Sequence, residues 1–416
     1  MSTQSEESTK MSSDEIDYAF LTRNLSRVKC DDKLDGLSVF NAIDPAFTLD
    51  HVVARQLRGL VVNETEESIV FRGFPYCQDV NVSDSEKVNN LEIDFAQVKC
   101  FKAYEGALIR VFNYNNKWYV STHRKLDAYR SKWSSPDSFG KMFDDALQYN
   151  YHNNSIFKNI IVSMKTENTE KDETVTTHFL NSLNKNNTYL FLVLNSSYNR
   201  LVCKAPANPS VYHVGTFINK TDLTFDYDIN LPVPELLKFT CMSELIEYVN
   251  NVDPYNSQGV IIFDGNHTQY KIMNSSYVEL FDLRNNEPSI KYRYLQLRKT
   301  DKKDKFIDLY SDMQKVFEGV ELSLKKVASR IYKMYVDKFI LKIFVFAPKD
   351  EYYVMTQCHS WHKENRETNK IRIEKVTEIL ESMTPYSLYQ MTKRHVSDKV
   401  YQPRTKQTND STKNVQ

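Results

Sequence analysis

The chain has 416 residues, 54 basic and 54 acidic side chains, and no net formal charge. With 41% hydrophobic and 12% aromatic residues it is not a wholly disordered chain, and its length fits two or three domains of roughly 150 residues. Zero net charge excludes a protein that coats a polyanion by bulk positive charge, so any nucleic-acid contact must come from local basic patches.

In chain order, residues 1–14 form a polar, acidic tail with no apolar h-region, read as disordered and not as a secretory signal. From about residue 50 to 298 the pattern is mainly strands. Short runs rich in β-branched and aromatic residues, bounded by turn residues, fall at 68–73, 106–114, 117–122, 189–194, 200–203, 211–217, 259–263 and 268–273. One hairpin is expected around 113–117, and a second around Asp264-Gly265-Asn266, because Asp-Gly between two such runs signals a tight turn. Helices interleave at 136–149 and at 242–252, the latter with Ser243 as N-cap. The mixture predicts an α+β fold with antiparallel sheets. From about 301 to 394 the pattern turns helical. Leu324, Val327, Ala328, Ile331, Met334 and Tyr335 recur at helical spacing, as do Ile371, Ile373, Val376, Ile379 and Leu380 on a helix from about 369 to 383. Residues 402–416 form a second polar tail. The expected division is a tail at 1–14, a domain at 15–300, a helical domain at 301–400 and a tail at 401–416.

Glycine is scarce, 9 in 416, against about 7% in average chains. That argues against Gly-rich phosphate loops, and no Walker loop, Rossmann fingerprint or Gly-x-Ser-x-Gly is present. The six cysteines are scattered singly and read as reduced thiols of a cytoplasm or nucleus. The longest apolar stretches, near 189–194 and 339–347, are far shorter than the ~20 residues of a membrane span, so no membrane partner is expected. Asn- and Lys-rich runs such as 184–187 fit the codon bias of an A/T-rich genome, of the kind large DNA viruses carry.

A series of short motifs between 55 and 280 carries a resemblance. Arg58-Gly59-Leu60-Val61-Val62 comes first, then Phe71-Arg72-Gly73-Phe74-Pro75-Tyr76, then Glu105-Gly106-Ala107-Leu108-Ile109. The strand at 118–122 leads into His123-Arg124-Lys125. Later come Gln258-Gly259-Val260-Ile261-Ile262-Phe263 and Lys271-Ile272-Met273, with Tyr277 downstream. In order and spacing this resembles the nucleotidyltransferase domain of RNA ligase 1-type enzymes of phages and large viruses. The resemblance implies an antiparallel-sheet, ATP-grasp-like ligase domain followed by a helical C-terminal domain. It also implies ATP and Mg²⁺ as cofactors and RNA and nucleotide as partners. In that family a Lys forms a covalent lysyl–AMP and AMP passes to a 5′-phosphate RNA end. A Lys nucleophile needs its pKa lowered by burial and neighbouring cations, carboxylates hold the metal, and further lysines stabilise the phosphoryl oxygens.

The chain departs from that pattern. Aligned on Gly106, Ala103 stands where the nucleophile should be and Lys102 is one residue early, so on an extended strand it faces the other way unless a bulge re-aims it. The middle motif normally carries a Glu, but 190–194 is wholly apolar, with Val193 near that position. Gln258 replaces the Glu before Gly259, and Met273 replaces the second Lys of the last motif.

Three readings follow. In the first, the protein joins RNA ends with ATP. Lys102 is then a displaced nucleophile and Lys271 a catalytic cation. Arg58, Glu105, Gly106, Arg124 and Gln258 hold nucleotide, and Glu105 holds the metal. In the second, a catalytically inactive relative binds RNA or nucleotide through the same groove. In the third, the fold is only a scaffold. Lys125, Arg130 and Lys132, gathered with Tyr129 and Trp133 after a strand, are candidate RNA contacts, as are Lys326, Arg330 and Lys333 on one helix face. The Lys291–Lys305 run alternates cations with Tyr292 and Tyr294, as an RNA-binding strand or as a solvated one followed by a charged linker. Cys358-His359-Ser360-Trp361-His362 lacks a second Cys/His pair at finger spacing and reads as a turn between a strand and a helix. The expected location is cytoplasmic, in a host cytoplasm or viral factory; the oligomeric state is open.

Overall fold

The computed structural model describes residues 16–44, 52–164, 174–264, 268–367 and 369–396. The two predicted tails and the turn residues Gly265 and Asn266 lie outside the described residues. The chain forms two compact units, one up to Asp282 and one from Leu283.

The first unit is built on three sheets. β1 (Val28–Leu34), β2 (Leu37–Ala42), β3 (Arg58–Asn63) and β4 (Ser68–Phe71) form an antiparallel meander. β5 (Gln78–Asn81) and β6 (Lys99–Ala103) join a later sheet. β7 (Gly106–Tyr114), β8 (Lys117–Ser121), β9 (Thr188–Leu194), β10 (Val211–Ile218) and β11 (Asp222–Thr224) pair in the order β11-β10-β9-β7-β8. β12 (Leu236–Leu237), β13 (Gly259–Phe263) and β14 (Gln269–Met273) complete the third sheet, ordered β12-β6-β13-β14-β5, with only β5 parallel to its neighbour. Both expected hairpins form. In β7–β8, Tyr114 pairs with Lys117 and the two residues between, Asn115 and Asn116, take φ of 50° and 61°. That left-handed pair is what a two-residue turn matching strand twist requires.

The sheets share one core. Phe71 and Phe74 meet Phe101, Phe112, Phe217 and Phe263 there. Phe112 is sandwiched by Phe71 at 5.3 Å and Tyr119 at 5.1 Å. The opposite face of each sheet buries separate apolar residues under helices. The helix Phe139–Asn153, capped by the Ser138 side chain, turns Phe143, Ala146 and Leu147 onto Ile109, Phe191 and Val193. At roughly 1.5–3 kcal/mol per large side chain buried, such a stripe offsets the helix's ordering cost. The helix Met242–Asn251 covers the third sheet with Leu245 and Val249.

The second unit is helical: Ile290–Leu297, Lys303–Leu309, Gln314–Tyr335, a π-helical turn Val336–Ile340, Lys349–Glu364, Ile373–Glu381 and Pro385–Val396. The apolar stripe read on the longest helix is buried as expected.

Four local expectations differ from the structure. Residues 200–203 form no strand, because their backbone N–H groups turn to a side chain described below. Ser243 lies inside its helix, behind Cys241. The 291–298 alternation is helical. Arg293 Nε donates to the Leu283 carbonyl, Arg298 grips Glu321 at 2.8 and 2.9 Å, and Lys299 reaches Glu381, so these cations lock helices instead of lining a strand. Cys358 is buried mid-helix, not in a turn.

Candidate functional site

Strand register decides which motif residues share a face. Directly paired residues project to the same side of a sheet and successive residues to opposite sides. Ala103, Gly259 and Met273 form one row across β6, β13 and β14. Phe101, Ile261, Lys271 and Asp79 form another row on that same face, which looks into the space between the sheets. Lys102 pairs with Val260 and, through it, Ile272, whose side chains lie under the Met242–Asn251 helix. The β6–β13 register runs unbroken from Lys99 to Ala103, so no bulge re-aims Lys102. Its ammonium faces Glu235 at 3.5 Å and lies 5.6 Å from the Tyr104 ring. The structure therefore separates Lys102 from Lys271 by the thickness of a sheet.

Of the other cations, Lys271 does lie on the inner face. Lys271 pairs with Asp79 at 3.1 Å. The Cys77 thiol is pushed up to about 12 by burial and by Asp79, against the pull of Lys271 and Arg58. The His123 imidazole is held down to about 3 by burial, then by Arg58, Arg110 and Arg124. Arg58 stands next to Gly59, which Asn41 and Arg110 tie to Thr122 and His123 after β8, and Lys271 and Arg58 both act electrostatically on Cys77. Arg58 is half-exposed yet ringed by protein, and burial lowers its pKa. Arg124 is exposed, with no hydrogen bond or ion pair to its guanidinium among the described residues.

Arg110, which the sequence reading passed over, fixes this arrangement. It is 1% exposed, and its guanidinium donates to the carbonyls of Gly59 and of Thr122 (2.5 Å to the latter), with Phe71 beneath it at 5.0 Å. Burial, then Arg58, lowers its pKa to about 9. Gly59 has φ +67°, and a Cβ there would sit 2.5 Å from Arg110 Nη1 and 2.7 Å from the His123 carbonyl. Asn41 closes the joint, accepting from Gly59 N–H at 2.8 Å and donating to His123 O at 2.9 Å. Nothing in the sequence around Arg110 singles it out; its carbonyl partners are what give it a role.

The motif residues Glu105 and Gln258 make their hydrogen bonds inside the protein. Glu105 is buried and accepts from the backbone N–H groups of Leu201, Val202 (2.9 Å) and Cys203 (3.1 Å), from Asn195 Nδ2 and from Tyr277 Oη, both at 3.2 Å. Both oxygens are engaged inside the protein, so the structure uses Glu105 as an anchor for the 195–203 segment. Gln258 donates to the Tyr104 carbonyl at 2.8 Å. Val193 is buried beneath helices, and the inward residue beside it is Leu192. Gly106 is required by close approach, since a Cβ would meet the Val193 carbonyl at 2.5 Å. Among the described residues no group of three or more His, Cys, Asp and Glu could hold a metal ion.

The candidate RNA contacts after β8 are largely committed internally. Lys125 and Arg130 pair with the buried Asp32 at 3.2 and 3.3 Å, and Lys132 donates to the Pro136 carbonyl at 2.6 Å. In the second unit Arg330 pairs with the buried Glu351, while Lys326 and Lys333 are exposed. Asp32 and Glu351 are distant in sequence from the cations they hold, so the clusters looked freer than they are.

No family model matches the chain. It is 28% identical over 348 residues to the "Immediate-early protein ICP-46 homolog" of Invertebrate iridescent virus 6, covering 80% of this chain and 72% of that protein. It is 24% identical over 240 residues to a "Putative bifunctional polynucleotide kinase/RNA ligase" of Autographa californica nuclear polyhedrosis virus, covering 56% of this chain and 31% of that protein. Among solved structures, an archaeal ATP-dependent RNA ligase superposes with a TM-score of 0.41 at 10% identity, over 92% of this chain and 96% of that one.

Proposed function

We propose that this protein is an RNA-ligase-like nucleotidyltransferase relative that binds the phosphates of nucleotides or of phosphorylated RNA ends without forming a covalent adenylate. The observation that carries the reading is the row Ala103–Gly259–Met273. The face that presents Lys271 to the cleft holds a methyl group at the nucleophile's place, and Lys102 leaves on the other side. Support for the ligand class comes from the motif order, from the cations assembled around Arg58, and from the viral relative named for RNA ligase. ATP enters this reading as a bound anion. Arg58, Arg124 and Lys271 would meet its phosphates, and no step is routed through a metal, because among the described residues no group of three or more His, Cys, Asp and Glu could hold one.

The test is incubation with α-labelled ATP and Mg²⁺ or Mn²⁺ followed by denaturing electrophoresis, alongside filter binding of a 5′-phosphorylated RNA. The expected result is no protein-linked label and an RNA affinity that falls steeply with salt. A label that disappears in Lys102→Ala would overturn the non-covalent reading. An affinity indifferent to Arg124→Ala/Lys271→Ala would remove the cleft from the account altogether.

A further inference from the structure

Residues 340–346 of the second unit read Ile-Leu-Lys-Ile-Phe-Val-Phe. They run from the end of the π-helical turn toward the Lys349–Glu364 helix. Val345 is buried, but the phenylalanines on either side of it, Phe344 and Phe346, are 69% and 79% exposed, and Ile340, Leu341 and Ile343 are exposed too. Adjacent large apolar side chains facing outward mark a contact surface. The segment is held in place: Leu341 N–H donates to Val336 O at 2.9 Å, Ile343 N–H to Asp337 O at 2.8 Å, and the Lys342 ammonium to Phe339 O at 2.8 Å.

A cationic collar surrounds the tip. The Lys338 ammonium lies 5.2 Å from the partly exposed Tyr352 ring. Lys342 and Lys363 both bear on His359, which stacks on Phe339 at 4.1 Å. The neighbouring acids are engaged: Asp337 is buried, Asp350 pairs with Arg394, and Glu351 pairs with Arg330 and Arg394.

We propose that this segment docks on an anionic lipid surface, with Phe344, Phe346 and their aliphatic neighbours entering the headgroup–acyl boundary and Lys338 and Lys342 meeting lipid phosphates. Exposed apolar side chains beside lysines complement that boundary in both hydrophobicity and charge. Single-stranded nucleic acid would share the lysines and could stack on Phe344 and Phe346, but the exposed aliphatic side chains of Ile340, Leu341 and Ile343 add apolar surface that an acyl boundary takes up and a base does not. The run is far too short to span a bilayer, so the contact is superficial.

The full chain is sedimented with phosphatidylcholine vesicles with and without phosphatidylserine. Binding is expected only with phosphatidylserine, weakening with added salt. Phe344→Ser/Phe346→Ser should lower it about tenfold or more, and Lys338→Glu/Lys342→Glu should bring it to the phosphatidylcholine level. Because Lys342, Phe344 and Phe346 are exposed and Lys338 is only partly buried, circular dichroism and RNA affinity should stay at parental values. No sedimentation with phosphatidylserine at low salt, or equal sedimentation of parent and double-Phe variant, overturns the proposal. So does a double-Phe variant that loses affinity for a single-stranded oligouridylate, which would make the segment a nucleic-acid surface.

Discussion

Replacing Glu105 separates a structural anchor from a metal ligand. Its carboxylate collects three backbone N–H groups, one Asn amide and one Tyr hydroxyl, all from segments ninety or more residues away in the chain. Glu105→Ala leaves two buried backbone donors and one partly buried one without an acceptor. At ~1–3 kcal/mol each, partly relieved if water enters the vacated volume, the cost is ~3–6 kcal/mol. That is a large share of a typical domain stability of ~5–15 kcal/mol, and it should lower the melting temperature by roughly 10 °C. Glu105→Gln keeps one acceptor and turns an amide N–H₂ toward donors, so it should cost less, ~2–3 kcal/mol. Urea unfolding followed by far-UV circular dichroism measures both. Parental stability combined with loss of Mn²⁺-dependent nucleotide binding would refute the assignment and return Glu105 to the metal.

Further outcomes follow from the same geometry. Gly59→Ala forces a Cβ into the Arg110 guanidinium at a left-handed φ and should destabilise by ~2–4 kcal/mol while weakening RNA binding, read by thermal melting and filter binding. Arg124→Ala removes an exposed cation with no internal partner. It should leave melting unchanged, lower RNA affinity about tenfold and reduce the salt slope by about one; an unchanged slope would take Arg124 off the binding surface. The buried His213, bonded to Thr216 Oγ1 at 2.8 Å, is held by burial down to about 4 from its ordinary 6.5. With the folded pKa below the unfolded one, the unfolded chain binds the proton more readily. Stability is then complete above pH 6.5 and declines as pH falls toward 4, by ~3 kcal/mol; His213→Gln should flatten that part of the stability–pH curve.

The sequence was most informative where the signal is local. The Asn115–Asn116 turn, the apolar stripe from Leu324 to Tyr335 and the period-two strands of the third sheet need only neighbours to be read. The parity argument for Lys102 was also legible, because alternation along a strand is a property of the backbone; whether a bulge intervened was not. What could not be read is who holds whom across the fold. Glu105 looked like a metal ligand because the amides of 201–203 are invisible to it in sequence. Lys125 and Arg130 looked like surplus charge because Asp32 lies on the first β-strand. The Tyr/Arg alternation at 292–298 mimicked a strand because a short helix that spends its arginines on carbonyls and carboxylates need not show a clean apolar stripe.

The Arg110 side chain carries a wider implication. Two carbonyls and an aromatic face solvate it, and no carboxylate among the described residues neutralises it. The fold thus keeps a buried positive charge that carbonyl dipoles balance, whether or not an anion is near. An incoming anion would meet a field already oriented toward it and would relieve mutual repulsion among like charges, so that occupancy and folding stability become linked quantities.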